Sequence, residues 1–324
     1  MPISSNVHHD SLLTSLSVGW WNDESHYIAG RVFPSVTVQK QSDRYRVFDK
    51  NDWFRDEAKR RADTTEAAQV DYKLSSDSYY ADVYAVKQYI GDQTVANFDA
   101  PGNLHQDTTR FLVQKLLLQR DIQFAEDFLK AGVWGTNLTG VASGPSTGEF
   151  IQWNDYTNSN PILDIELGKT AIAANTGLEA NTLVLGRDVL AVLRNHPDVI
   201  DRINYTGNGG RTGADEAILA GLFGVERVIV ARAIKATNKE GATGTYSKLA
   251  VAKGAFLAHS APNPGLMTPT AGYTFSWAPL DGSPVAVKRY RDEPKASDVI
   301  EAQTAYDNKV VSNELGAFYA SVIA

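Results

Sequence analysis

NLHQDTTRFLVQKLLLQRDIQFAEDFLKAG, Asn103 to Gly132, reads as a single helix with both ends written in. Asn103 can accept a hydrogen bond from a first-turn amide, and Gln106 stands where the return half of a capping box belongs. Gly132 offers a left-handed stop after Lys130. Leu104, Phe111, Leu118, Ile122, Ala125 and Leu129 share one stripe at helical spacing, and Val113, Leu117, Phe124 and Phe128 widen it until only a narrow polar edge remains. Such a rod has to be covered on most sides. At 1.5 Å per residue it runs roughly 40 Å, about the span of a small domain. Taken alone, it fits the core helix of a large enzyme.

The rest of the composition narrows the choice. A chain of 324 residues has room for two domains, and 43% hydrophobic with 21% charged residues is ordinary for a soluble folded protein. With no cysteine there is no disulfide framework, no thiolate zinc site and no cysteine nucleophile, which fits a reducing compartment and cytoplasmic synthesis. The N-terminal stretch MPISSNVHHDSLLTSLSVGWW lacks a basic leading region and a continuous apolar run, so neither export nor membrane insertion is indicated. A net charge of −7 argues against strong general affinity for nucleic acid, because gripping phosphates draws on clustered Lys and Arg.

Taken in order, residues 1–40 scatter large apolar residues, among them the adjacent Trp20 and Trp21, through polar sequence without a lasting period; they read as an arm that packs on something. Val36 and Val38 alternate with polar neighbours, and Tyr45, Val47 and Phe48 continue the extended pattern. The segment RDEAKRRAD, Arg55 to Asp63, carries seven charges in nine positions, and Val70, Tyr72 and Leu74 then alternate again. Two extended runs around a charged tip make a long hairpin, which is a poor element for a monomer because an isolated two-stranded ribbon is marginal in water. Tyr79 to Ile90 lead aromatically into the rod. After Gly132 a Gly, Ser, Thr and Asn-rich loop marks a domain boundary. Pro161 to Thr176 is helical, TLVLG from Thr182 to Gly186 is a strand, and Asp188 to Ile203 is helical with His196-Pro197 interrupting it, a mixed α/β unit. Ala214 to Phe223 is a short helix. Val225–Ala233, Leu249–His259, Tyr273–Trp277, Val285–Tyr290, Val299–Tyr306 and Phe318–Ile323 read as extended.

Little here carries chemistry. The glycines of TGNGGRTGADE, Gly207 to Gly213, meet neither the P-loop nor the dinucleotide pattern, since no Gly-Lys-Ser/Thr ends the run and no strand directly precedes it. The six histidines, His8, His9, His26, His105, His196 and His259, show no zinc-ligand spacing on a helix. No nucleophile elbow occurs, and no carboxylate pair stands out. Asp201-Arg202 beside His196-Pro197 forms a small polar cluster that a helix surface and its cap explain. No catalytic residue, cofactor-binding residue or metal ligand is assigned.

The stretch from Trp153 to Ile203 carries a resemblance: Trp153, Pro161-Ile-Leu-Asp-Ile165, Thr176-Gly177, Asn181-Thr-Leu-Val-Leu-Gly186, Val189, Leu193 and His196-Pro-Asp-Val-Ile-Asp-Arg-Ile203. It is similar to the major capsid proteins of tailed bacteriophages with the Hong Kong 97 type of fold. The order of parts over nearly the whole chain agrees. The resemblance implies an α+β fold with an N-terminal arm (1–40), an extended β-hairpin (41–90), a peripheral domain (91–160 and 285–324) with a long spine helix (104–131), and a mixed α/β axial domain (161–284).

The function implied is a subunit that self-assembles, as hexamers and pentamers, into the icosahedral head shell around packaged double-stranded DNA. It would be made in the host cytoplasm and reside in the virion, would act as no enzyme, and would touch DNA only weakly. The hairpin would lie over a neighbour, the Trp20-Trp21 arm beneath another, and the glycine loop near the capsomer axis. Assembly contacts are therefore expected at Trp20, Trp21, Arg55, Lys59, Arg60, Arg61, Gly209 and Arg211. The sequence reaches arm-like residues directly from Met1, without the charged coiled-coil scaffold segment of some relatives, so a separate scaffolding protein is implied, with a portal. Lys59, Lys73, Asn308 and Asn313 are the residues available to an intersubunit Lys–Asn crosslink, but no motif selects among them. Two other readings are a bacterial nanocompartment shell of the encapsulin type and an α/β enzyme using Gly207 to Gly213 with Asp201-Arg202.

Overall fold

The computed structural model describes residues 22–48, 50–98, 103–205, 215–239, 241–248, 253–265, 267–278 and 285–324. In chain order its elements are β1 (Ser35–Val38), β2 (Ser42–Phe48), α1 (Lys50–Phe54), β3 (Leu74–Tyr80), β4 (Asp82–Gly91), α2 (Asp92–Ala96), α3 (Leu104–Phe128), β5 (Thr136–Val141), β6 (Glu149–Ile151), α4 (Pro161–Thr176) and β7 (Thr182–Gly186). There follow α5 (Arg187–Asn195), α6 (Pro197–Tyr205), α7 (Glu216–Phe223), β8 (Arg227–Ala231), β9 (Ile234–Ala236), β10 (Tyr246–Lys248), β11 (Ala255–Ala258), β12 (Gly272–Trp277), β13 (Ala286–Asp292), β14 (Ser297–Val310) and β15 (Gly316–Ala320). Trp20, Trp21, Gly209 and Arg211 lie outside the described residues.

The rod of the sequence is α3. Asn103 caps it as its residue type dictates, its Oδ1 accepting from the Gln106 amide at 3.2 Å. The helix ends at Phe128, short of Gly132, because the Phe128 carbonyl is taken by the Trp134 indole N–H at 2.6 Å. Gly132, at φ 86°, serves the next turn instead, and its amide donates to Asn137 Oδ1. The buried line of α3 is also displaced from the expected stripe: Thr108, Leu112, Leu116, Asp121, Phe124 and Phe128 are inside, whereas Phe111 is 52% exposed. The reason is that α3 is covered by two surfaces, a sheet along its first half and a different core along its second.

That sheet has five strands. β14 pairs antiparallel with β4 on one side and with β13 and β12 on the other, and β12 pairs parallel with β1. Ile90, Ile300 and Ala302 from the sheet meet Leu112 and Leu116 of α3, with Tyr84 and Val86 beside them. This is the period-two face of the strands laid on the period-3.6 face of the helix.

The hairpin forms as β2 paired antiparallel with β3, from Ser42↔Tyr80 to Phe48↔Leu74. It is shorter than the 41–90 expected. Residues 82–91 leave the ribbon and become β4, because Tyr84, Val86 and Ile90 bury their side of the strand against α3. Tyr79 stacks on Phe275 at 4.6 Å, and Tyr45 lies 5.4 Å from the same ring, so the root of the ribbon is fixed to β12.

The expected arm of residues 1–40 also ends earlier. From Tyr27 onward the segment belongs to the chain's own core: Tyr27, Ile28, Ala29, Val32 and Phe33 are all buried. The Val32 carbonyl accepts from Ser260 Oγ at 2.7 Å and from the Arg227 guanidinium at 3.1 Å.

The second sheet has six strands in the order β6-β5-β15-β11-β7-β8. β15 runs parallel to β5 and antiparallel to β11. Residues 136–151 and 316–320, placed with the peripheral part by the sequence, thus lie in the same sheet as β7, β8 and β11. The close fit at Gly316 helps to explain this, since a Cβ there would stand 2.2 Å from the Trp134 ring. The main core fills the space between this sheet, helices α4 to α7, the end of α3 and the segment from Ile28 to Phe33. β9 and β10 form a separate two-stranded ribbon. Among the described residues, no helix is long and apolar enough to cross a membrane.

Candidate assembly surface and a buried serine-histidine pair

Beyond the paired part of the ribbon, α1 and residues 55–73 carry side chains that the subunit leaves largely uncovered. Phe48, Trp53 and Tyr72 gather with ring centroids 6.1 to 6.4 Å apart. Trp53 is nevertheless 55% exposed, Phe54 67% and Tyr72 59%. Aromatics cost free energy when left in water, which makes this cluster a candidate contact surface. Around it stand the charges singled out in the sequence. Arg55 reaches Asp52 at 3.2 Å and Glu57 at 2.9 Å, while Lys59, Arg60 and Arg61 are exposed, Arg61 donating to the Thr65 carbonyl. The structure therefore brings Arg55, Lys59, Arg60 and Arg61 onto one projecting tip. The base of that tip touches the subunit's own body, where Lys50 donates to the Asn175 carbonyl at 2.7 Å and pairs with Glu314. Such half-exposed pairs are worth little.

Asn308, one of the candidate crosslink residues, is engaged within its own subunit. Its Nδ2 donates to Asp127 Oδ2 at 2.9 Å, and its Oδ1 accepts from Thr274 Oγ1 at 3.0 Å.

Sequence reading missed one arrangement that looks catalytic. Ser159 Oγ lies 3.0 Å from His196 Nε2, and Asp198 Oδ2 lies 4.0 Å from His196 Nδ1. The hydrogen bonds assign the protons differently from a nucleophilic triad. The Asp198 amide donates to Nδ1 at 3.2 Å, which leaves the proton on Nε2, pointing at Ser159. Ser159 in turn donates to the Asp155 carbonyl at 2.6 Å. A base for serine needs the opposite arrangement, with a free Nε2 lone pair facing the hydroxyl. Both side chains are buried, and burial lowers the His196 pKa, keeping the ring neutral. The pair ties the loop before α4 to the start of α6. Ser159→Ala is expected to cost about 1–2 kcal/mol of stability by leaving Nε2–H unpaired. Intact protein should also fail to react with a serine-directed fluorophosphonate; covalent labelling of Ser159 would refute this structural reading.

Nearby, Trp153 donates its indole N–H to Asp164 Oδ2 at 2.8 Å, and burial pushes the Asp164 carboxyl up to about 6. Tyr319 Oη donates to the Asp164 carbonyl at 3.0 Å. Three of the residues that carried the resemblance, Trp153, Pro161 and Ile165, are thus packing positions of the second sheet and α4. Asp201 and Arg202 lie on the exposed side of α6, and Gly207 to Gly213 fall outside the described residues. Among the described residues no three His, Asp or Glu side chains are grouped to hold a metal ion.

No family model matches the chain. Among curated proteins it is 26% identical over 287 residues to the major capsid protein of Burkholderia phage BcepMu, covering 87% of each chain. Among solved structures it is similar to a phage-related protein from Bordetella bronchiseptica RB50, with TM-score 0.69 and 21% identity over 93% of this chain and 94% of that one. It is also similar to the capsid structure of cyanophage P-SCSP1u, with TM-score 0.63 and 12% identity over 97% of this chain and 92% of that one. With its long α3 backing a peripheral sheet, its second mixed sheet and its projecting ribbon, the chain has the Hong Kong 97 type fold of phage major capsid proteins.

Proposed function

We propose that this chain is the major capsid protein of a tailed double-stranded DNA bacteriophage, forming the icosahedral head shell as hexamers and pentamers. The observation that carries the reading is the ribbon. Its tip exposes Trp53, Phe54 and Tyr72 beside four cationic side chains, and a two-stranded ribbon of this kind gains its support by lying on another subunit. The curated relative, matched over 87% of its length, agrees. On this reading the protein resides in the virion after assembly in the host cytoplasm, works with a separate scaffolding protein and a portal, and performs no catalysis. A net charge of −7 suits a wall that meets DNA weakly.

Electron microscopy of the purified protein, or of the particle containing it, tests the proposal. Closed shells are expected, and a compact monomer that forms no shell at high concentration under any condition would overturn it. Particle contents separate the encapsulin alternative, DNA supporting a phage head and a protein cargo a nanocompartment. Charge reversal at both Arg60 and Arg61 is expected to leave circular dichroism and the melting temperature unchanged, because both side chains are exposed, while sharply reducing assembly yield. If folding and yield fall together, the tip is part of the subunit core.

A further inference from the structure

Asp121 is the residue of α3 that its surroundings explain least. It sits among Leu117, Leu118, Ile122 and Phe124, yet it is 1% exposed. Its Oδ1 accepts two backbone hydrogen bonds at 2.8 Å each, from the amides of Ile28 and Ala29. Its Oδ2 is buried and has no hydrogen-bond partner among the described residues. One oxygen therefore holds the chain segment that supplies Ile28, Val32 and Phe33 to the main core, while the other has no hydrogen-bond partner among the described residues.

A buried carboxylate in this position has two ways to lower its cost: bind a proton on the orphaned oxygen, or release the segment and regain water. We propose that Asp121 is a proton-operated latch joining α3 to the segment from Asn22 to Pro34, tight when Oδ2 is protonated and loosened when the carboxyl is ionised. The proton goes to Oδ2, so Oδ1 keeps both amide bonds in the closed form. The ionisable groups that bear on the site are Arg120 on the same helix, which favours the charged form, and the Tyr27 hydroxyl from the segment, which donates to Gln114 Oε1 at 2.9 Å and stays protonated. Desolvation outweighs Arg120 and the two amides, raising the carboxyl from 3.8 to about 6.

The direction of the effect follows. Because the closed form holds its proton to a higher pH than the opened one, closure is most favoured below about pH 4 and weakens as pH rises through about 6. The same carboxyl shift, 3.8 to about 6, sets the ceiling on the change, about a hundredfold in the opening equilibrium. The latch stands independently of the shell reading, since every group in it belongs to one subunit.

Hydrogen–deuterium exchange of the full-length chain tests it, following the peptide that contains Ile28 and Ala29 and correcting for intrinsic exchange. Protection of that peptide is expected to fall by about 25-fold between pH 4.5 and 7.5, the share of the full change that lies in this window, while peptides of β7 and β11 hold theirs. In Asp121→Asn, which keeps the accepting oxygen and cannot ionise, the pH dependence should vanish. Equal pH dependence in both proteins, or none in the wild type, overturns the proposal. If the variant fails to fold, the carboxyl of Asp121 in the wild-type protein is titrated by carbon NMR: a midpoint near 6 supports the latch and one near 4 overturns it.

Discussion

Phe128→Ala is expected to lower the unfolding free energy of the unassembled subunit by about 3–5 kcal/mol, the range for deleting a buried aromatic ring. Phe128 has no exposed surface and closes α3. Its ring lies 4.8 Å from Phe33, 4.8 Å from Phe124 and 6.2 Å from Trp134. Those neighbours come from the N-terminal segment, the same helix and the loop after it, and Phe256 of β11 completes the group against Phe33 and Trp134. Phe33, Phe124, Trp134 and Phe256 are themselves buried in the main core, so little collapse can relieve the cavity. For a protein whose whole stability is of the order of 5–15 kcal/mol, this is a large fraction. Urea denaturation followed by tryptophan fluorescence measures it. A loss below about 1 kcal/mol would mean that the cluster can repack and that α3 is not anchored there.

Gly168→Ala is expected to cost about 3 kcal/mol through overpacking. Gly168 is on the face of α4 that meets the second sheet, and a Cβ at this position would stand 1.9 Å from Tyr319 Oη and 3.0 Å from its Cζ. Tyr319 is fully buried and bonded to the Asp164 carbonyl, so its ring has no free path away. Either the helix lifts from the sheet or the tyrosine leaves its rotamer. Tyr319→Phe alone should cost about 1 kcal/mol for the lost hydrogen bond. The double variant should then be less destabilised than the sum of the two, because the hydroxyl is the nearest obstacle. Rescue remains incomplete, since Cζ is still close. Strict additivity in a thermodynamic cycle would show that the contact with Tyr319 is not what excludes a side chain at Gly168.

The rod was legible because its information is local. Asn103 acts on its own first turn, and apolar spacing along 25 residues suffices to name a helix. Its depth on each face was not legible. Phe111 and Leu112 are equally apolar in sequence, and only the arrival of β4 and β14 decides that Leu112 is buried and Phe111 is exposed. The family resemblance rested largely on residues such as Trp153 and Ile165 that turn out to pack, so it supplied the fold without pointing to an active group. The Ser159–His196 pair joins positions 37 residues apart in sequence, and nothing in the spacing announces it. Asp121 left little trace, since it stands beside Gln119, Arg120 and Gln123 between Leu116 and Phe124, and a carboxylate there reads as the helix's solvent edge until the segment at Ile28 is placed against it. Of the expected assembly contacts, Arg55, Lys59, Arg60 and Arg61 share the tip because the hairpin pattern is itself local.

The position of β15 has a consequence in time. Every other strand of the six-stranded sheet precedes it in the chain, yet it pairs between β5 and β11, roughly 180 and 60 residues earlier. While the polypeptide is being synthesised, β5 and β6 have no route to the rest of their sheet, and Trp134 has no Gly316 to lie against. The half-made chain is therefore held open until residues 316–320 have left the ribosome, at roughly 5–20 residues per second a delay of many seconds after α3 first emerges. On the proposed shell reading, a nascent chain in this condition lacks the folded subunit's surface, so synthesis itself postpones contact between copies made on one message until β15 has paired.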